Sequence, residues 1–303
     1  MGFLYLLERI RVPGLNEFML AITKLGEETA FLVIALIVFW CMDKRRGYYI
    51  LSVGFIGTIL NQFMKLWFRI PRPWVKDPNF TILEQAREAA SGYSFPSGHT
   101  QSSVGTFGAL AYTAKNKVIR WICIAVAVLV PLSRMYIGVH TPLDVLVAAA
   151  MAVVLIFVLR PVVFRNDGKY IPVLLGIMTL LAIGYLCFVE FYPFPADIDG
   201  HNLESGMKNA YTLLGAMIGL LIVYFVDEQY LHFSCCAIWW AQLLKVIGGL
   251  AGVLVIKSGL KGILDGMLGV GFGRSARYLL IVLFAGIVWP LTFKWFQKLG
   301  SKE

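Results

Sequence analysis

Residues 118–159 read VIRWICIAVAVLVPLSRMYIGVHTPLDVLVAAAMAVVLIFVL. Two apolar runs, 118–132 and 143–159, flank a short stretch holding Arg134, His140 and Pro142, and Asp144 opens the second run. The pattern predicts two membrane-spanning helices joined by a polar turn. Seven further apolar segments lie outward from this pair, at 30–42, 47–64, 99–114, 171–189, 210–226, 236–256 and 278–293. The expected fold is therefore all-α, a polytopic integral membrane helix bundle of about nine transmembrane helices.

Composition agrees. Of the 303 residues 58% are hydrophobic and 15% charged, against about 25% charged in a soluble domain. Mean hydropathy is +0.73. A water-soluble fold of this size still needs a polar skin, so the composition excludes a soluble enzyme, a disordered chain and a nucleic-acid-binding module. The formal charge of +9 fits Lys and Arg in loops beside anionic headgroups. The five cysteines lie in or beside apolar runs with no C-x-x-C spacing, which predicts neither a zinc site nor a disulfide framework.

Three regions are expected. Residues 1–24 read as an amphipathic segment lying in the interface, because the apolar run 3–7 is short and is followed by Glu8, Arg9 and Arg11 rather than by a signal-peptide pattern. Residues 25–169 form a core of about five spans, and 170–303 a further bundle of about four. Basic residues sort by side: Lys44, Arg45 and Arg46, then Lys115 and Lys117, then Arg160, Arg165 and Lys169, then Lys294, Lys298 and Lys302. These mark the cytoplasmic face. The 65–98 and 133–142 loops and the acidic loop around Asp197, Asp199 and Glu204 fall opposite. Lys257, Lys261, Arg274 and Arg277 break the rule, sitting in a loop assigned outside.

Three clusters carry chemistry, all on the outer face. In the first, Lys65 and Arg72-Pro73 are separated by about two helical turns, so both reach one site. Pro71 disfavours helix at Ile70 and ends the span there. A snorkelling interfacial cluster is the alternative. In the second, Pro96-Ser97-Gly98-His99 leads into an apolar run, and a helix N-terminus is an anion site. Ser97 is either a hydroxyl donor or an ordinary cap. In the third, Thr141, Pro142 and Asp144 form a helix start. Asp144 follows His140 by four residues, so its carboxylate can hold one ring nitrogen and aim the other outward. Arg134 can grip an anion through paired N–H groups. Three cations plus backbone donors fit a phosphate.

The order Lys65…Arg72-Pro73, then Pro96-Ser97-Gly98-His99, then Ser133-Arg134…His140…Asp144 resembles the signature of the type 2 phosphatidic acid phosphatase (lipid phosphate phosphatase) superfamily. The resemblance covers about residues 47–160. It implies hydrolysis of a phosphate monoester or diphosphate through a phosphohistidine, with no metal and no cofactor. Carried over, His140 is the nucleophile, Asp144 its orienting partner and His99 the acid for the leaving group. Lys65, Arg72, Ser97, Gly98 and Arg134 form the phosphate-binding cradle. The implied partners are a lipid phosphate substrate and membrane lipids. Phosphatidate, phosphatidylglycerol phosphate, a sphingoid phosphate or a polyprenyl diphosphate would each serve. A soluble sugar phosphate and phosphotransfer to another acceptor are alternatives on the same scaffold. A transporter, the rival of another class, should show repeat symmetry and broken helices at mid-membrane.

Weaker features remain. Asp197, Asp199, His201 and Glu204 read as a solvated acidic loop before a metal cluster. Gly269, Gly271 and Gly273 read as a flexible loop. Gly215–Gly219 and Gly248–Gly252 point to close helix contacts within the chain or to a homodimer seam. Lys245 is a charge in mid-span, a functional position by default, or a sign that the boundaries of the span are misplaced.

Overall fold

The computed structural model describes residues 1–87, 90 and 92–299. Every regular element among them is helical. In chain order these are α1 (Gly2–Arg9), α2 (Pro13–Thr23), α3 (Glu28–Cys41), α4 (Lys44–Phe68), α5 (Pro73–Lys76), α6 (Gly98–Thr113), α7 (Lys117–Tyr136) and α8 (Pro142–Phe164). There follow α9 (Ile171–Phe191), α10 (Gly200–Val226), α11 (Trp239–Gly259), α12 (Lys261–Leu268), α13 (Val270–Leu283), α14 (Trp289–Leu291) and α15 (Phe293–Lys298). Eight of the nine apolar segments lie mainly on one of these helices, and the last, 278–293, runs from α13 through α14 to the start of α15. Among the described residues seven helical stretches are long and apolar enough to cross a bilayer, those of α4, α7, α8, α9, α10, α11 and α13–α15. The other two segments are the shorter α3, of 14 residues, and α6, of 16. The chain is thus a polytopic all-α membrane protein. Lys302 lies outside the described residues.

Local chemistry sets the helix ends that matter. Asn116 caps α7, its Oδ1 accepting from Val118 N at 2.7 Å. At the start of α8 the Thr141 hydroxyl accepts from Asp144 N at 3.3 Å, and Asp144 Oδ2 accepts from Thr141 N at 2.7 Å. This is a reciprocal capping box. Helix α4 stops at Phe68, with Arg69 at φ 49°, a left-handed closure ahead of Pro71.

Several boundaries differ from the sequence expectation. Helix α7 continues through Pro131 to Tyr136, so Ser133 and Arg134 sit on its last turn rather than in the loop. Ser133 Oγ donates to Val130 O at 2.7 Å, and Arg134 is buried by protein instead of lipid, which removes the reason to end a span at a polar residue. Helix α10 begins ten residues before the apolar run, because Asp199 Oδ1 accepts from Asn202 N at 3.0 Å and caps a polar first turn. Likewise Gly269 is the single turn between α12 and α13, at φ 77°, while Gly271 and Gly273 are helical. No group of three or more His, Cys, Asp or Glu among the described residues is placed to hold a metal.

The chain divides into two compact units, Met1–Leu32 with Val53–Arg160 and Pro195–Ser205, and Val33–Ser52 with Pro161–Phe194 and Gly206–Glu303. In the first, α1 and α2 lie along α7: Tyr136 Oη donates to Asn16 Oδ1 at 2.7 Å, and Arg11 Nε to Tyr136 O at 2.9 Å. Leu4 is buried with Phe80, Ile82, Met135 and Val145, while Phe3, Leu6 and Ile10 face outward. In the second unit the glycine pairs seat helices within the chain. Gly215 lies against the Ser275 backbone, Gly219 against Val282, Gly248 against Trp289 and Gly252 against Phe284. Lys245 lies in the second turn of α11, fully buried, with Nζ donating to Trp40 O at 3.0 Å and Cys235 O at 3.2 Å. Its charge also lies 4.1 Å from the centre of the Phe293 ring. Arg277, assigned above to a loop, is buried on α13 beside Asp265.

Candidate active site

The first unit encloses a cavity of about 260 Å³. Four helix ends meet around it. Lys65 comes from the last turn of α4 and Arg134 from the last turn of α7. Gly98 and His99 open α6, and Arg72 and His140 come from the loops before α5 and α8. Cations and histidines 75 residues apart in sequence thus share one wall. By position the Gly98 and His99 N–H groups are among those a helix start leaves without an intrahelical acceptor.

His140 is buried, and its ring is held at both nitrogens. Arg72 Nη1 lies 2.9 Å from Nε2. A guanidinium has only donors, so Nε2 must carry the lone pair and the ring proton belongs on Nδ1. On that side lies Asp144 Oδ2, at 3.5 Å. The carboxylate is itself fixed by Thr141 N and by Ser94 Oγ, which donates to Oδ2 at 2.5 Å. Asp144 therefore serves two purposes, half of the capping box and orientation of the ring. Burial pushes His140 well below the usual imidazole range, and the charges of Arg72, Arg134, Lys65 and His99 push the same way. The imidazole is thus neutral, the form a nucleophile requires.

The cations are anchored by neutral oxygens. Arg72 donates from Nε to Gly92 O at 3.0 Å and from Nη1 to Val139 O at 2.9 Å. Lys65 Nζ donates to Tyr93 O at 2.5 Å. Arg134 Nη1 donates to Thr23 Oγ1 at 2.9 Å, and its Nε has no protein partner. Carbonyls and a hydroxyl orient a cation without cancelling its charge, so the site keeps its affinity for an anion. Gly138 supports the turn behind His140 at φ 90°, where an added Cβ would come within 2.8 Å of Arg11 Nη2.

Of the sequence-derived residues, Lys65, Arg72, Gly98, His99, Arg134 and His140 line the cavity. Asp144 stands behind His140. Ser97 is fully buried; its Oγ accepts from Thr100 N at 3.4 Å as a cap. Ser97 N donates to Asp144 O at 3.1 Å, tying the start of α6 to the start of α8. Three participants escape a sequence reading: Ser94 on Asp144, Thr23 on Arg134, and Asn61, whose buried amide faces the cavity. Ser94 lies beside the Pro96–His99 motif, a hint of position only. The other two carry no local signal.

Residues 45–167 match the PAP2 superfamily, and residues 211–302 match the transmembrane extension of PAP2 superfamily phosphatases. Over 164 residues the chain is 31% identical to phosphatidylglycerophosphatase B of Bacillus subtilis (strain 168), covering 50% of this chain and 76% of that protein. An undecaprenyl-diphosphatase of the same organism is 28% identical over 42% of this chain and 64% of its own length. Sphingosine-1-phosphate phosphatase 1 of Mus musculus is 27% identical over 63% and 47% respectively. The crystal structure of the transmembrane PAP2-type phosphatidylglycerolphosphate phosphatase from Bacillus subtilis is 28% identical, with a TM-score of 0.46 over 55% of this chain and 86% of that one. The motif residues converge on one cavity inside the matched segment, and the chain belongs to the PAP2 superfamily, as one of its membrane phosphatases with a transmembrane extension.

Proposed function

We propose that this chain hydrolyses a lipid phosphate monoester or diphosphate through a phosphohistidine on Nε2 of His140. The observation that carries the reading is the placement of that atom: Nδ1 faces Asp144, and the Nε2 lone pair meets the Arg72 guanidinium in the cavity. A bound phosphate draws Arg72 onto its oxygens, joined by Lys65, Arg134 and the Gly98 N–H. Nε2 is then free to attack phosphorus. The N–P bond forms as the P–O bond to the leaving group breaks, and His99 protonates the departing oxygen. The imidazolium that forms keeps its proton on Nδ1, facing the Asp144 carboxylate. His99, now neutral, takes a proton from water, the hydroxide oxygen attacks phosphorus, and the N–P bond returns its electron pair to His140. The cations disperse charge in both transition states without a metal ion.

The substrate class follows the relatives, which are named for phosphatidylglycerol phosphate, undecaprenyl diphosphate and sphingosine 1-phosphate. The outward apolar face of α1 suits residues 1–24 to the headgroup layer. The site faces away from the cytoplasm. Helices α4 and α7 end at it, α6 and α8 begin at it, and the far ends carry Lys44, Arg45, Arg46, Lys115, Lys117, Arg165 and Lys169. The test is phosphate release from a panel of lipid phosphates with one water-soluble ester included. His140→Ala should abolish release from every substrate, and EDTA should leave wild-type turnover intact. Retained turnover in His140→Ala, or a metal-restorable loss with EDTA, overturns the mechanism.

A further inference from the structure

The cavity does not end at the phosphate cradle. Its wall runs back along α4 through Asn61 and Thr58 to Gly54, and forward along α6 through Gln101 and Ser102. Asn61 stands one turn before Lys65, on the same face of α4. It is 1% exposed, and neither Nδ2 nor Oδ1 has a protein partner. The Ser102 hydroxyl across the cavity is likewise buried without one. A buried amide in a membrane helix is costly where an aliphatic residue would pack, and an orphaned one calls for a ligand. Oδ1 of Asn61 lies 3.7 Å from where a Cβ on Gly98 would be, so the amide stands at the start of α6, where the next residue is His99.

The chemistry of this wall is selective. Arg72, Lys65 and Arg134 are the cations of the lining and Glu28 its carboxylate, and apart from the two histidines the other lining side chains, Asn61 and Ser102 among them, are neutral. A second phosphate would find no cation in the lining beyond the three that hold the first. Phosphate oxygens only accept, and would use Nδ2 while facing Oδ1 unfavourably. A hydroxyl donates and accepts, and matches both atoms of the amide. At about 260 Å³ the cavity lies below the roughly 300–1,000 Å³ of drug-sized ligand sites, so it holds a headgroup rather than acyl chains.

We infer that Asn61, with Ser102, forms a subsite that reads a hydroxyl of the leaving alcohol. The preferred substrate is then a lipid phosphomonoester whose alcohol bears a free hydroxyl on the carbon beside the phosphoester, not a diphosphate. This rests on the phosphatase reading above. The test compares kcat/KM of the full chain for phosphatidylglycerol phosphate, for the same lipid with that hydroxyl replaced by hydrogen, and for a polyprenyl diphosphate. The wild type should favour the hydroxylated lipid over its deoxy analogue by about tenfold or more. In Asn61→Leu the ratio should fall towards one, and Asn61→Ala serves if the leucine variant does not fold. A wild-type ratio near one overturns the inference without any variant. So does a preference for the diphosphate, or an equal loss on both lipids that leaves the ratio unchanged. Absence of phosphate release from every substrate by the wild type would instead refute the phosphatase reading itself.

Discussion

His140 can act as a nucleophile only while it is neutral, and its surroundings keep it so. Free histidine titrates near 6.5, and burial among four positive or potentially positive groups holds the folded ring well below that. Between the two values the unfolded chain binds the extra proton, so stability rises with pH across that window. It is fully present above about 6.5 and falls on acidification, by up to about 1.4 kcal/mol per pH unit. In detergent, the melting temperature of the wild type should therefore drop more between pH 7.5 and pH 5 than that of His140→Gln. Equal drops would mean that the ring is not held neutral. Thr23 is a positioning residue for Arg134, through the 2.9 Å hydrogen bond to Nη1. Thr23→Val should lower kcat/KM about tenfold, the value of one hydrogen bond to a charged group. Thr23→Ser should restore most of it, an outcome that a purely packing role does not produce.

At the scale of elements, close helix contacts carry the second unit. A Cβ added at Gly215 would lie 2.0 Å from the Ser275 carbonyl oxygen on α13. Alanine gains about 1 kcal/mol in helix propensity, but pushing two helix backbones apart costs about 1–3 kcal/mol. The clash is with backbone, which cannot rotate away, so Gly215→Ala should lower the melting temperature; a rise would show that α10 and α13 separate freely. Element type and order were legible in the sequence, because long apolar runs have no other stable form in lipid. The ends were less so. Ser133 and Arg134 look like loop when polarity is the guide, yet they are helical because protein, not lipid, surrounds them. The start of α10 was hidden for the opposite reason, since its first turns are polar.

For the whole molecule, the proposed sidedness follows from the distribution of Lys and Arg. Intact cells producing the chain should release phosphate from a membrane-impermeant phosphate ester, and His140→Ala cells should not. Activity seen only after permeabilisation would place the site at the cytoplasmic face. By itself the sequence determined the membrane class, the run of spans, and the motif residues Lys65, Arg72, Pro96–His99, Arg134, His140 and Asp144. These are signals of composition and of spacing within a few residues, which local helix geometry turns directly into position. Tertiary structure alone decided that Ser94 holds Asp144 across 50 residues, that Thr23 holds Arg134 across 111, and that Asn61 faces the cavity. Such pairs have no period and no motif. They exist because packing brings separate helix ends to one place, where each buried polar group must find a partner or a ligand.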